Sequence, residues 1–500
     1  MVGRAIADGR ARPSADRSTR TVVVFGGAGA AHRNNSRRTR RTTTRRRARL
    51  STEPGTGSAP TPDTRDSFGT LSPRAPLLSA LKVRNYRLFF LGQVVSNNGT
   101  WTQRIAQDWL VLSLTGSSTA VGITTALQFL PLLLFGLYGG VLVDRLPKRP
   151  ILLATQVAMA LTALALAVLT LTGRVHVLHV YAAAFAVGLA TVLDNPARQS
   201  FLSELVGPEL LRNAVGLNSA NFQSARLIGP ALAGLLITGV GTGWAFLLNG
   251  VSFAAPLACM LLMRSRELHA VERAPRGKGQ LREGLRYVAG RPDLVWPIVL
   301  VGFFGTFALN FPVHLSAFAD DVFDAGAGAY SLFNTLVAAG SLTGALLAAR
   351  HEATRRRLPF LAALAFGVLQ AVAAVAPTLW SFALLMVPMG LFAMVVNVTT
   401  NATMQTSTAP AVRGRVTALY MMVLLGGAPL GAPVVGWITD TYGARASLAA
   451  AGAVAAVTAT VTGLFLVRAG GHRLAVGWSH PLPRIRIEPR KTSKGADLPT

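Results

Sequence analysis

The residues best placed to do chemistry form a stripe. Gln93, Asn97, Trp101, Arg104 and Asp108 follow one another at steps of four, four, three and four, which stacks side chains on one face of a helix. A charge near the centre of a membrane-crossing helix costs roughly 2.5–3.5 kcal/mol, so it faces protein or a water-filled cavity. Arg104 and Asp108 are spaced to pair. Either Asp108 accepts a proton in a polar cavity wall, with Arg104 setting its affinity, or the two form a static pair near the outer interface.

Other candidates are more scattered. Arg226 shares a face with Ser219 and Phe222, to line the same cavity or bond a partner helix. Asn310 and His314 are four apart, and Pro312 between them predicts a bend. A histidine titrates near neutral pH, although a lone one near a helix end is more often structural. Asp194 and Arg198 read as topology or gating residues. Phe129, Phe135, Phe303, Phe304, Phe307 and Trp380 offer an apolar pocket or face lipid and packing.

The elements that must hold these residues follow from composition. Of 500 residues, 51% are hydrophobic and 14% charged, against about 25% charged in a soluble domain. The net charge is +28, so the charges are segregated. The single cysteine, Cys259, leaves no intrachain disulfide framework and no Cys-rich metal or iron–sulfur site. HExxH, GxSxG, a histidine cluster and a phosphate loop beside a catalytic domain are all lacking. A membrane enzyme is therefore disfavoured, and neither cofactor nor metal is expected. Energy must come from an ion or substrate gradient.

Residues 1–84 hold eighteen of the forty-nine Lys and Arg residues among Ser, Thr, Pro and Gly, and read as a disordered basic N-terminal segment. The stretch 21–30 imitates a signal h-region ending in a small-x-small site, but its apolar core of about five residues is shorter than the roughly 7–15 such a core needs. Its Gly-rich end lacks the context of a phosphate loop. No aromatics interleave with the arginines, so no nucleic-acid partner is expected; anionic lipid is the natural neighbour.

From residue 85 to 467 twelve apolar stretches approach the ~20 residues needed to cross a bilayer. They run 86–112, 119–142, 150–172, 175–194, 213–239, 243–263, 294–315, 328–349, 357–376, 378–400, 416–438 and 446–467. Loops 2–3, 4–5, 6–7, 8–9 and 10–11 carry the Lys and Arg, whereas the opposite face has Arg174 and Arg445 against Asp320, Asp321 and Asp324. Basic loops stay inside, so both termini are expected in the cytoplasm of a multi-pass cell-membrane protein. The expected fold is all-α, with twelve transmembrane helices in two pseudo-symmetric six-helix lobes, 85–264 and 293–467. A cytoplasmic linker, 265–292, joins them and a tail, 468–500, follows. In the linker, Leu281, Leu285 and Val288 fit an amphipathic helix on the membrane surface. An internal repeat supports the division: Asn195-Pro196-Ala197-Arg198-Gln199 with later Gly229 and Gly234 matches Asn401-Ala402-Thr403-Met404-Gln405 with Gly431 and Gly436. Parallel six-span repeats place a substrate site between two bundles.

Three segments carry a resemblance to the major facilitator superfamily, within it to twelve-span drug and siderophore exporters. Gly140-Val141-Leu142-Val143-Asp144-Arg145-Leu146-Pro147-Lys148-Arg149 resembles that family's GxxxDRxGRR loop, with Pro147 in place of the second glycine. Gly140 is suited to close helix approach. The resemblance implies that Asp144, with Arg145, Lys148 and Arg149, gates the cytoplasmic side by docking on the start of span 11 near Arg413; the bare alternative is that the cations only set topology. Gly229-Pro230-Ala231-Leu232-Ala233-Gly234 is similar to the antiporter signature GPxxGG, with Ala233 replacing one glycine; Pro230 bends the helix, and simple small-residue packing is the alternative. Asn85-Tyr86-Arg87-Leu88-Phe89, Gly92-Gln93 and Ala106-Gln107-Asp108-Trp109-Leu110 resemble the start and end of span 1 in the exporters. Many proton-coupled members carry an arginine inside span 4, where 182–193 has no charge, so Arg104 or Arg226 would have to substitute.

The function expected is a secondary active transporter exporting small amphipathic molecules, such as drugs, siderophores or secondary metabolites, by proton-coupled alternating access. Its partners are the small-molecule substrate, protons and the lipid bilayer. A lysophospholipid flippase or importer of the same fold is the alternative within transport. A non-transporting sensor or scaffold is the alternative outside it.

Overall fold

The computed structural model describes residues 78–269, 280–350, 357–410, 412–469, 472–479 and 482–489. Residues 1–77 of the basic segment, with the apolar and Gly-rich stretches in it, lie outside the described residues; its last part is not disordered as expected, because a helical turn at Ser79–Lys82 buries Ala80 in the first lobe and α1 begins at Arg84. What is described is almost wholly helical. In the first lobe, α1 spans Arg84–Thr115, α2 Ser118–Arg145, α3 Lys148–Leu171 and α4 Val177–Gly239, followed by α5, Thr242–Ser252, and α6, Ala254–Leu261. A short helix, α7 (Gln280–Ala289), leads into α8 (Pro292–Phe303) and α9 (Phe311–Ala317). The second lobe continues with α10 (Gly326–Arg350), α11 (Leu358–Ala374), α12 (Leu379–Thr406), α13 (Arg413–Gly426), α14 (Ala428–Tyr442) and α15 (Ala444–Ala469). Beyond it, β1 (His472–Ser479) and β2 (Leu482–Pro489) form an antiparallel hairpin that the sequence reading treated only as a tail.

Among the described residues nine stretches are long and apolar enough to cross a membrane. One of them, α4, is 63 residues long and holds two of the expected spans. Polar α1 and short α11 complete a set that accommodates twelve passes.

The expected loop between spans 4 and 5 is instead helical. Its break is confined to Gly207, whose φ of 69° lies in the left-handed region that glycine tolerates. Pro208 then restarts the helix, where its missing N–H costs nothing. Span 7 is the reverse case, more broken than its sequence pattern. A π turn at 304–308 and non-helical Leu309 and Asn310 separate α8 from α9, with Pro312 in the first turn of α9. The helix is interrupted before Pro312, which starts α9 in its first turn instead of bending a continuous helix.

Apolar clusters fill both lobes and run on across the seam, through Ile105 and Ala233 on one side and Val313 and Val435 on the other. Phe89, Phe201, Leu202 and Met260 pack in one part of the first lobe, and Val111, Leu166, Val180 and Phe246 in another. The second lobe is built on Phe304, Phe318, Phe333, Phe366 and Phe382, with Phe318 and Phe382 stacked 4.2 Å apart. The C-terminal end of linker helix α7 packs on the second lobe: Val288 is buried with Leu294, Val416 and Tyr420, and the Tyr287 hydroxyl accepts the Ala409 N–H, while Leu285 is exposed.

The lobes meet along α2 against α14 and α4 against α10. Close approach demands glycine at the first seam. A Cβ on Gly122 would collide with the Ala432 carbonyl, and one on Gly436 with the backbone of Ser118 and Thr119.

Candidate functional site

A cavity of about 320 Å³ lies between the lobes. Its walls come from α1 (Trp101, Arg104, Ile105, Asp108), α2 (Thr125, Gln128, Phe129), α4 (Arg226, Pro230), the break of span 7 (Leu309 to Pro312), α10 (Asn334, Val337, Ser341), α12 and α13. The helical stripe read from sequence is thus divided. Trp101, Arg104 and Asp108 line the cavity, while Gln93 and Asn97 do not. Gln93 is buried a turn or more away, with Oε1 lacking a hydrogen-bond partner.

The expected pairing of Arg104 with Asp108 is not what forms. Asp108 Oδ2 instead accepts a 2.9 Å hydrogen bond from the hydroxyl of Tyr330 on α10, so the bond runs from one lobe to the other. Tyr330 is fully buried and stacks on Trp109 at 6.2 Å. The Arg104 guanidinium sits 4.9 Å from the centroid of the Trp101 ring. Arg226 approaches the same ring at 5.9 Å, and Phe222 meets it edge-on.

The span 5 motif positions this group. Gly229 presses on Trp101, where a Cβ would not fit, and its carbonyl accepts the Thr102 hydroxyl. Pro230 lines the cavity. One turn on, Gly234 faces Ser331 of the other lobe, so small residues here serve both a helix contact and the lobe seam.

Asn310 lines the cavity at the helix break, its amide bonded to the carbonyls of Thr306 and Phe307. This satisfies backbone acceptors that the broken helix leaves open. His314 stands apart. It is buried away from the cavity, with Nε2 3.4 Å from the Ser447 hydroxyl on α15. Of the aromatic candidates, Phe129 lines the cavity, Phe304 belongs to the second core, and Phe135, Phe303 and Trp380 are exposed on the outside of the helices.

One contact between the lobes was not foreseen. Asp440, at the end of α14, caps the N-terminus of α2 across the lobe boundary. Its carboxylate accepts the backbone N–H groups of Ser118 (2.7 Å) and Thr119 (3.0 Å) and the hydroxyls of Ser117 (2.7 Å) and Thr119 (2.6 Å). A carboxylate at a helix N-terminus satisfies orphan donors and meets the positive end of the helix dipole.

Two lobes of helices packed around a central cavity, whose mainly apolar wall carries a few polar and charged groups and a helix break, is a transporter architecture. The sequence matches the family model described as transmembrane secretion effector over residues 72–491. The chain belongs to that family, within the major facilitator superfamily. The multidrug efflux pump Tap of Mycolicibacterium fortuitum is 27% identical over 76% of this chain and 93% of its own. The enterobactin exporter EntS of Shigella boydii is 24% identical, covering 75% and 90%. Among solved structures, a bacterial homolog of the human lysosomal transporter Spinster, inward-facing and unoccupied, matches with a TM-score of 0.61 at 15% identity, covering 79% of this chain and 98% of that one. A peptide-bound transporter of the POT family gives 0.63 at 12% identity, covering 76% and 96%. The protein is a multi-pass membrane transporter, not an enzyme.

In this secretion-effector chain the loop after α2 departs from its sequence reading at one point. Gly140 has open space where a Cβ would be; the close approach is made by its neighbour Gly139, against Val192 of α4. Asp144 is half-buried at the end of α2 and Arg145 is exposed. Lys148 pairs with Glu204 at 3.8 Å, and Arg149 bonds the Leu261 carbonyl and the Ser265 hydroxyl at the end of span 6. Lys148 and Arg149 therefore tie the start of span 3 to other parts of the first lobe. Asp194 is also internal to that lobe: buried, it pairs with Arg198 and accepts from Thr155 and Gln156 of α3.

Sequence reasoning missed Tyr330 and Asp440. A lone tyrosine inside an apolar span is a signal for a buried hydroxyl seeking a partner. For Asp440 the hint was Ser117-Ser118-Thr119, a cap-like start to α2 whose acidic partner came from the opposite repeat.

Proposed function

We propose that the chain exports small amphipathic molecules across the cell membrane by proton-coupled alternating access, with Asp108 as the proton-carrying group. The observation carrying this reading is the Tyr330–Asp108 bond, which joins the lobes at the cavity wall. Ionised Asp108 accepts that bond fully. Protonation weakens it, because a charge-assisted hydrogen bond is about twice as strong as a neutral one. Proton binding thereby loosens the α1–α10 contact beside the seam and favours rocking of the lobes. The names of two relatives, a multidrug efflux pump and an enterobactin exporter, support the export reading.

On this reading the basic loops and both termini face the cytoplasm. The seam at Asp440 then closes the outer side, and the conformation is inward-facing. Asp144 takes the gating role at the cytoplasmic side when the lobes close there. Accumulation of fluorescent lipophilic compounds in efflux-deficient bacteria expressing the full chain tests the proposal. Expression should lower accumulation, and a protonophore should abolish the effect. Unchanged accumulation of every compound, with the protein present in the membrane, would contradict it.

A further inference from the structure

We infer that the cavity selects organic anions, a carboxylate or similar planar oxyanion on an apolar body, held by Arg104 and Arg226 around Trp101. The inference rests on the transport reading above and specifies its substrate.

The charge inventory of the cavity carries it. Three lining residues are ionisable: Arg104 and Asp108 from α1 and Arg226 from α4. The remaining polar walls are neutral, from Thr125, Gln128, Asn310, Asn334, Ser341 and Asn397. Asp108 is engaged by Tyr330. Among the described residues neither guanidinium has a hydrogen-bonded or ion-paired carboxylate; both instead approach the ring of Trp101, at 4.9 and 5.9 Å. The site holds one net positive charge with Asp108 ionised, and two with it protonated.

Two cations enclosed between lobes in a membrane are costly unless an anion answers them. Indole faces offset part of that cost but leave the N–H donors of both planar forks open. Those forks match carboxylate geometry. Phe129, Phe311, Met394 and Leu425 supply apolar wall for the rest of the molecule. A cationic substrate would need a spare carboxylate, and the cavity offers none beyond the one bonded to Tyr330.

The test uses three probes on one apolar body: pyrenebutyrate, neutral pyrenebutanol and a pyrenebutyl-trimethylammonium salt. Their export is followed in efflux-deficient cells expressing the full chain, with Arg226→Gln, Arg226→Lys and Arg104→Lys variants matched for membrane level. Pyrenebutyrate should be exported best. Arg226→Gln should reduce its export about tenfold, the loss of one charge-assisted hydrogen bond, and Arg226→Lys should restore part of it. Thermal stabilisation of the purified protein by pyrenebutyrate, absent in Arg226→Gln, gives a readout independent of turnover. Export of the ammonium probe in preference to pyrenebutyrate overturns the inference and leaves the transport reading standing. So does pyrenebutyrate export that is indifferent to Arg226→Gln. Export of none of the three overturns both.

Discussion

The hydroxyl of Tyr330 in the second lobe donates a 2.9 Å hydrogen bond to the carboxylate of Asp108 in the first. It is a single contact that belongs at once to the cavity wall and to the contact between lobes. Replacing Tyr330 by Phe leaves the ring on Trp109 and removes only the donor. A hydrogen bond to a charged group is worth about 1.5–3 kcal/mol, so export should fall by about tenfold or more, with the protein still reaching the membrane. Efflux rate at matched expression checks this; export equal to wild type would mean the bond is incidental.

Asp440 predicts a shift in conformation, not a loss of folding. Its carboxylate caps α2 from the other lobe through two backbone and two side-chain donors. Removing a cap costs about 0.5–2 kcal/mol, here charged only to the conformation in which the lobes touch. Asp440→Ala should therefore raise the share of molecules open on that face several-fold. The measurement is labelling by a membrane-impermeant maleimide of a cysteine at Asn334, in a Cys259→Ser background. Faster labelling from outside the cell in Asp440→Ala is expected; no change, or slower labelling, would count against the seal.

His314 gives the contrasting case. It lies outside the cavity against Ser447, so His314→Gln should leave the pH profile of export in place and keep its rate within about twofold. Any cost should appear as a lower melting temperature, since replacing a buried bonded group costs about 1–3 kcal/mol. A displaced pH profile in this variant would restore His314 as a proton carrier.

Much of this architecture was legible in the chain, because a bilayer makes apolar length and loop charge nearly sufficient. The span pattern follows from those signals, and the two-lobe division from the internal repeat beside them. Helix periodicity also put Trp101, Arg104 and Asp108 on one face, where the cavity has them. It could not show that the face turns away before Gln93, since that depends on which helix packs there. Nor could spacing decide between an i,i+4 pair and a partner 222 residues away; Arg104–Asp108 was the local choice and Tyr330 the tertiary one. The motif glycine shows the same limit at finer scale: Gly139 and Gly140 are adjacent, and only the packing of α4 selects the first. Asp440 was illegible for a related reason, being a helix cap supplied from the other lobe.

The central claim is that a proton on Asp108 drives export, and imposed gradients test it most directly. In inside-out membrane vesicles containing the full chain, uptake of a transported fluorescent compound would be followed under an acid-inside pH gradient, for wild type and Asp108→Asn. The account predicts gradient-dependent uptake in wild type. In Asp108→Asn, which mimics the protonated carboxyl and cannot release a proton, the gradient should no longer accelerate uptake although slow downhill equilibration persists. Acceleration by the gradient that survives intact in Asp108→Asn would contradict it.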